Sequence, residues 1–329
     1  LGLDVHPDPA PGTLAVRATR LLPNQERAGS LGTETDLRPE EGDMAMKTGF
    51  ILTSLAAAAL LAQGAWAACA TDDEVAAFVE SYLARTPAAG LSVGGTLEDG
   101  LCSQDKVVAA LVPHLGPVIG YKAGLTSGPA QARFGVEAPV RGVLYRDMML
   151  EDGAAVPLAF GARPLFEADL VLVVGDDAIA SATTPEEAMA HIASVHPFIE
   201  LPDLTYQTTV PITGATLTAI GVGPRLGVMG APVAVGDPND MVAALAAMQV
   251  TVTDADGTVM AEAPGASVLG NPVNSVLWLL EQGVPLAAGD LISVGSIGPL
   301  LPPAQAGGRA TVTYTGLPGD PSVSVRFTD

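Results

Sequence analysis

Phe166-Glu167-Ala168-Asp169-Leu170-Val171-Leu172-Val173-Val174-Gly175 decides how the rest of this chain is read, because two carboxylates open a run otherwise as apolar as a strand core. In an extended chain alternate side chains share a face, so Glu167 and Asp169 point the same way. The uninterrupted apolar residues that follow indicate burial on both faces, where unpaired anions are costly. A positive group between the two acids is therefore expected. Glu200, in Pro197-Phe198-Ile199-Glu200-Leu201-Pro202-Asp203, stands in a similar apolar setting after a helix signal. Three carboxylates with no nearby Cys, and no His in a ligand-like spacing, suit a hard cation such as Mg2+ or Mn2+ rather than zinc. The competing reading is a half-buried strand whose acids meet water or a lysine.

Outward from that run, 329 residues of which 48% are hydrophobic are ample for a large core. That excludes a disordered chain and a small disulfide scaffold. A formal charge of -21 argues against a nucleic-acid or anionic-membrane partner, since neither is attracted to so acidic a surface. Solubility is the simpler explanation of the charge.

Residues 1–43 are rich in Pro, Gly and charge, show no apolar periodicity and do not begin with Met, so disorder is expected there. Residues 44–67 start at Met44 or Met46 with Lys47, run through Ile51 to Ala62 and reach Ala65-Trp66-Ala67. A basic stretch, a short apolar stretch and a small-x-small site in that order match a cleaved secretory signal peptide. About a dozen apolar residues are too few to span a bilayer as a permanent helix, so no stable membrane anchor is expected. A buried core helix is the alternative. The reading places the protein in the periplasm or outside the cell, with a cytoplasmic location as the other possibility. Of 36 acids and 15 bases, residues 1–67 hold eight and five, so cleavage leaves the acidic character intact.

Cys69 and Cys102 are the two cysteines, about one helix and a loop apart. In an exported protein thiols oxidise, and one disulfide is the natural reading. Metal binding or a catalytic thiol are the weaker alternatives, since no His lies in a suggestive context.

Residues 68–117 read as a small helical lead-in. Thr71-Asp72-Asp73-Glu74 is a capping box with Val75, Phe78, Val79, Tyr82 and Leu83 as the stripe behind it, which predicts a helix to about Ala84. A second is predicted over Gln104–Val112, before Pro113. The pair packs against the main domain or a partner subunit. From Val118 the character changes to short strands and glycine turns, so 118–329 is predicted to be a β-rich, metal-binding catalytic domain. Lys122 stands between glycines in Gly120-Tyr121-Lys122-Ala123-Gly124-Leu125-Thr126-Ser127 at a strand end, where missing side-chain bulk allows close approach to a ligand. A solvated turn is the plainer reading. Thr184-Pro185, Asp237-Pro238 and Asn271-Pro272 open three helices. Val250–Met260 is a hairpin with an Asp-Gly turn, and three more strands follow to Phe327.

The blocks Gly120–Ser127, Phe134-Gly135-Val136, Gly142-Val143-Leu144, Phe166–Asp169, Phe198–Asp203, Leu269-Gly270-Asn271-Pro272 and Ala288-Gly289-Asp290 resemble, in order, the 2-keto-4-pentenoate hydratase branch of the fumarylacetoacetate hydrolase superfamily. No block is specific alone; their order is. The resemblance covers roughly residues 83–329. It implies an α+β fold, a mixed β-roll or β-sandwich core with flanking helices, and a divalent ion held by Glu167, Asp169 and Glu200, with Asp where a second Glu is more usual. The family lysine maps onto Lys122. Substrate contacts are expected at Thr126, Ser127, Arg141 and Arg225, the arginines through a substrate carboxylate, with a structural role as the alternative for each. A homo-oligomer is also expected.

The chemistry agrees with these residue types. A cation chelated by a 2-oxo acid stabilises the enolate formed when a C3 proton leaves, and Lys122 beside it shuttles the proton or binds the carboxylate. Hydration, decarboxylation and C-C hydrolysis all pass through such an enolate. The family branch usually carries Asp at the position of Val140, where it is proposed to help position or activate water, and valine cannot orient water by hydrogen bonding. Should hydration proceed with Val140 in place, another group must hold the nucleophile, Asp147 or an ordered water behind the site. The expected function is a metal-dependent hydro-lyase acting on a 2-hydroxy-dienoate or 2-oxo-alkenoate. The rivals are decarboxylation or C-C hydrolysis of a related 2-oxo acid, and a periplasmic protein that binds such an acid without catalysis.

Overall fold

Thr71 and Glu74 close a reciprocal capping box, and α1 (Asp72–Ala84) follows from it, ending where Arg85 turns left-handed at φ 58°. The computed structural model describes residues 69–329. The segments read as disordered, 1–43, and as a signal peptide, 44–67, lie outside the described residues. Val75, Phe78, Val79 and Tyr82 form the buried stripe of α1. Leu83, expected in that stripe, is 41% exposed because it lies one step past the inward arc.

The second helix, α2 (Leu97–Leu115), begins seven residues before its predicted start. Its own capping box, Thr96 with Asp99, explains the early start, and Pro113 falls in the last turn where only one donor is lost. Gly100 in the first turn masks the apolar pattern, and a side chain there would meet the Ala215 carbonyl at 2.6 Å. Cys69 and Cys102 are joined as a disulfide, Cα atoms 5.6 Å apart, which fastens the entry of α1 to α2.

The β-rich part continues with β1 (Val118–Gly124), α3 (Gly128–Phe134), β2 (Val140–Tyr145), β3 (Met149–Glu151), β4 (Ala155–Pro157) and β5 (Glu167–Val174). Then come α4 (Pro185–Ala190), β6 (Ile192–Leu201), α5 (Gly214–Ala219), β7 (Leu226–Met229), β8 (Val233–Ala234) and α6 (Pro238–Ala247). The chain closes with β9 (Gln249–Thr253), β10 (Val259–Pro264), α7 (Asn274–Glu281), β11 (Leu291–Ser293), β12 (Arg309–Thr315) and β13 (Ser322–Thr328).

These strands make two sheets. The larger runs β2-β1-β11-β5-β6-β7-β3 with β8 also on β6, and it is mixed, since β1 lies parallel to β11 and β3 to β7. The smaller runs β10-β9-β12-β13-β4. Leu170, Leu172, Val195 and Ile199 of the first share one core with Val250, Val312, Val323 and Val325 of the second. This is the mixed α+β sandwich with flanking helices that the sequence led us to expect.

A second core joins α1 and α2 to Leu144, Met148, Tyr206 and Ile220. The helical lead-in therefore packs on the β-rich part of its own chain, and the described residues, 69–329, belong to one unit. Among the described residues no helix is long and apolar enough to cross a membrane.

Candidate active site

The register of β5 on β6 sets Glu167 opposite Glu200, with Asp169 two positions along on the same face. All three side chains are buried, and each offers an oxygen within 4.8 Å of the others. Lys122 reaches them from β1. Its ammonium is 2% exposed, pairs with Glu200 Oε1 and donates to the Val222 carbonyl at 3.2 Å. The positive group that buried acids require is thus this lysine, but one cation faces three carboxylates.

Asp169 is held on both oxygens. Oδ1 accepts from the backbone N–H of Leu170 at 2.6 Å and Gly295 at 2.9 Å, and Oδ2 accepts from Ser293 Oγ at 2.5 Å. Behind it, the Tyr314 hydroxyl enters between β5 and β6, donating to the Asp169 carbonyl at 2.5 Å and accepting the Phe198 N–H at 3.2 Å. Burial, then the Glu200 charge, pushes the Asp169 carboxyl up to about 7. The same two causes raise Glu167 well above the usual carboxylate range. Glu200 Oε2 is buried without a hydrogen-bond partner among the described residues. A surplus of buried negative charge, an all-oxygen donor set and an orphaned acceptor fit a hard divalent cation, which Glu167, Asp169 and Glu200 would hold.

Beside this cluster lies a cavity of about 490 Å³, lined among others by Lys122, Glu167, Thr126, Ser127, Ser296 and Arg133. Two wall residues carry strained backbone: Leu125 at φ 55° and Val222 at φ 62°, the latter between Gly221 and Gly223, also left-handed. The glycines around Lys122 serve close packing of the chain on itself. A side chain at Gly120 would strike the Leu291 carbonyl at 2.0 Å, and one at Gly124 would strike Val222 Cγ1 at 2.5 Å.

Lys122, Thr126 and Ser127 stand together at this cavity as the sequence anticipated; the two arginines do not. Arg225 is buried under α1, donating from Nε to the Phe160 carbonyl at 2.9 Å and from Nη1 to the Tyr82 carbonyl at 2.7 Å. Its guanidinium covers the Tyr82 ring at 4.2 Å. All this fixes α1, so the substrate-binding assignment is corrected to a structural one. Arg141 pairs in register with Ala123, one position from Lys122, which puts its side chain on the opposite face of the sheet and corrects that assignment too. Val140 is 3% exposed and absent from the cavity wall. Asp147 is exposed and paired with Arg146 at 2.7 Å, so it is no substitute there.

Sequence reasoning missed Arg133, Ser293, Ser296, Tyr314 and Val222. Arg133, in the last turn of α3 directly before the Phe134-Gly135-Val136 block, had the one usable signal, a cation adjoining a family block. Ser293, Tyr314 and Val222 act through contacts across the fold, and Ser296 only by its place on the cavity wall, so none of them carried one.

The family described as fumarylacetoacetate (FAA) hydrolase C-terminal matches residues 128–319. The chain belongs to the fumarylacetoacetate hydrolase family. It is 30% identical over 274 residues to a 2-keto-4-pentenoate hydratase of Burkholderia vietnamiensis, covering 79% of this chain and 100% of that one. It is 32% identical over 221 residues to a 2-hydroxyhexa-2,4-dienoate hydratase of Comamonas testosteroni, covering 64% of this chain and 79% of that one. A solved 4-oxalocrotonate decarboxylase of Pseudomonas putida G7, complexed with magnesium and adipate, superposes with a TM-score of 0.67 at 24% identity, covering 78% and 97% of the two chains. That likeness establishes the shared fold. Membership with hydratase relatives makes this fumarylacetoacetate hydrolase family chain an enzyme.

Proposed function

We propose that this protein is a metal-dependent hydro-lyase that adds water to a 2-hydroxy-dienoate or 2-oxo-alkenoate, with Mg2+ or Mn2+ as its cofactor. The observation that carries the reading is Lys122, buried against Glu200 and opening onto the cavity beside three acids that outnumber it. When bound, the cation supplies Lewis-acid stabilisation of the negative charge that grows on the substrate's 2-oxygen as a C3 proton leaves. The Lys122 ammonium is held between Glu200 and the Val222 carbonyl, so its proton is delivered from one direction to a carbon in the cavity, or taken back from it. Thr126, Ser127 and Ser296 supply hydroxyls for the substrate carboxylate and for the water that adds.

Decarboxylation is the second reading, and one observation favours it. Apart from Glu167, no carboxylate among the described residues lines the cavity, so none of them is free there to activate water. Loss of carbon dioxide uses the same enolate and needs no such group.

The test is an assay of the protein with Mg2+ against 2-oxo acids and dienols, following deuterium exchange at C3, hydration and carbon dioxide release separately. Exchange and hydration should both appear and both fall about 10²-fold or more in Lys122→Ala. Exchange with carbon dioxide release and no hydration would select the decarboxylase. Tight binding with no exchange would leave a binding protein.

A further inference from the structure

Beyond Lys122 and Glu167 the cavity changes character. Leu165, Leu204, Ile212, Leu217, Pro299 and Leu300 face it from separate segments: the approach to β5, the exit of β6, the two sides of the Thr213 helix cap and the loop after β11. Leu217 is buried, Leu165, Leu204 and Ile212 are half-buried, and Leu300 is 43% exposed at the mouth. Among the described residues the only cation lining the cavity besides Lys122 is Arg133, and it is exposed.

Resting on the hydro-lyase reading above, we infer that this site selects a 2-oxo acid or dienol bearing a bulky apolar tail, an alkyl chain of several carbons or a phenyl ring, over a short acid or one ending in a second carboxylate. At about 490 Å³ the cavity falls in the range that houses drug-sized ligands, whereas a five-carbon acid has only a few carbons beyond its chelating end. Such an acid would leave the leucines facing water. An apolar tail removes them from it, and each buried methylene adds to transition-state binding if it stays in place through the reaction. A second carboxylate against the same leucines loses its hydration and finds no buried partner among the described residues, because Arg133 stands in solvent where an ion pair contributes little.

The experiment uses the whole chain with Mg2+ and a homologous series: five-carbon, hexyl-tailed, phenyl-tailed and carboxylate-tailed 2-oxo acids, with the matching dienols. Calorimetric Kd and kcat/KM are measured on the same series, so the order of tails is read from binding even if nothing is turned over. That separates failure of this inference from failure of the hydro-lyase reading, which the hydration assay tests. We expect kcat/KM to rise, and Kd to fall, roughly tenfold or more from the five-carbon to the phenyl-tailed member. The carboxylate-tailed member should rank below an alkyl tail of equal length. Leu204→Asp should shrink the phenyl preference at least tenfold, and Leu204→Met should keep it if the variant at Asp misfolds. Strongest binding of the five-carbon acid would overturn the inference. So would strongest binding of the carboxylate-tailed acid with a loss confined to it in Arg133→Ala.

Discussion

The Val222 carbonyl lies 3.2 Å from Nζ of Lys122, on a residue whose φ is 62°. A β-branched residue pays a steric penalty in that region, and strain of this kind costs about 1–3 kcal/mol. Here it turns one carbonyl onto the lysine while the valine side chain packs over Gly124. Val222→Gly should therefore hold or raise the melting temperature while slowing C3 exchange severalfold. An unchanged exchange rate would show that the carbonyl does not aim the lysine.

Glu167→Gln removes one of three charges from the acidic cluster while keeping its volume. Mn2+ affinity should fall tenfold or more, with the circular dichroism spectrum of the folded protein retained. Calorimetry that finds the wild-type affinity in this variant would end the assignment of the three acids as ligands.

The acids also set a pH dependence. Burial and the Glu200 charge push the Asp169 carboxyl up to about 7 in the folded, metal-free protein, well above its ordinary range near 3.8, so between these values the folded state binds the proton and the unfolded state does not. A raised carboxyl contributes stability below its unfolded pKa that is lost as pH rises through its folded pKa. Metal-free protein should lose stability from pH 5 to pH 7, and Mn2+ affinity should climb over the same span as protons leave the ligands. Denaturant midpoints flat across that window would contradict this.

Val140 reverses an expectation from sequence. If its position faced the substrate, Val140→Asp would restore a water-orienting group and raise hydration. With Val140 3% exposed and outside the cavity wall, the change instead buries a carboxylate. It should cost roughly 2 kcal/mol or more in urea unfolding and leave hydration no faster. A gain in hydration at undiminished stability would place residue 140 back at the site.

Arg225→Met removes two hydrogen bonds to carbonyls and a cation over the Tyr82 ring. The loss should be about 2–3 kcal/mol, with α1 amides exchanging faster. KM should not rise, because the guanidinium does not reach the cavity. A selective rise in KM would restore the substrate-binding assignment.

Much of what depends on near neighbours was legible, though the Thr96–Asp99 capping box that starts α2 was missed. The two-residue repeat put Glu167 and Asp169 on one face whatever sheet they joined, and Thr71, Thr184 and Asp237 cap helices through contacts within four residues. The oxygen-only chemistry of three acids pointed to a hard cation before any fold was known. Side chains whose partners lie far off in sequence were not legible. Arg225 meets Tyr82 across 143 residues, and Tyr314 meets Asp169 across 145. An arginine beside a family block reads the same whether it faces a substrate or a helix, since periodicity fixes only which face it takes on its own strand. Tertiary packing decided that Arg141 and Val140 miss the cavity, that Arg133 meets it, and that four distant segments close an apolar wall beside the acids.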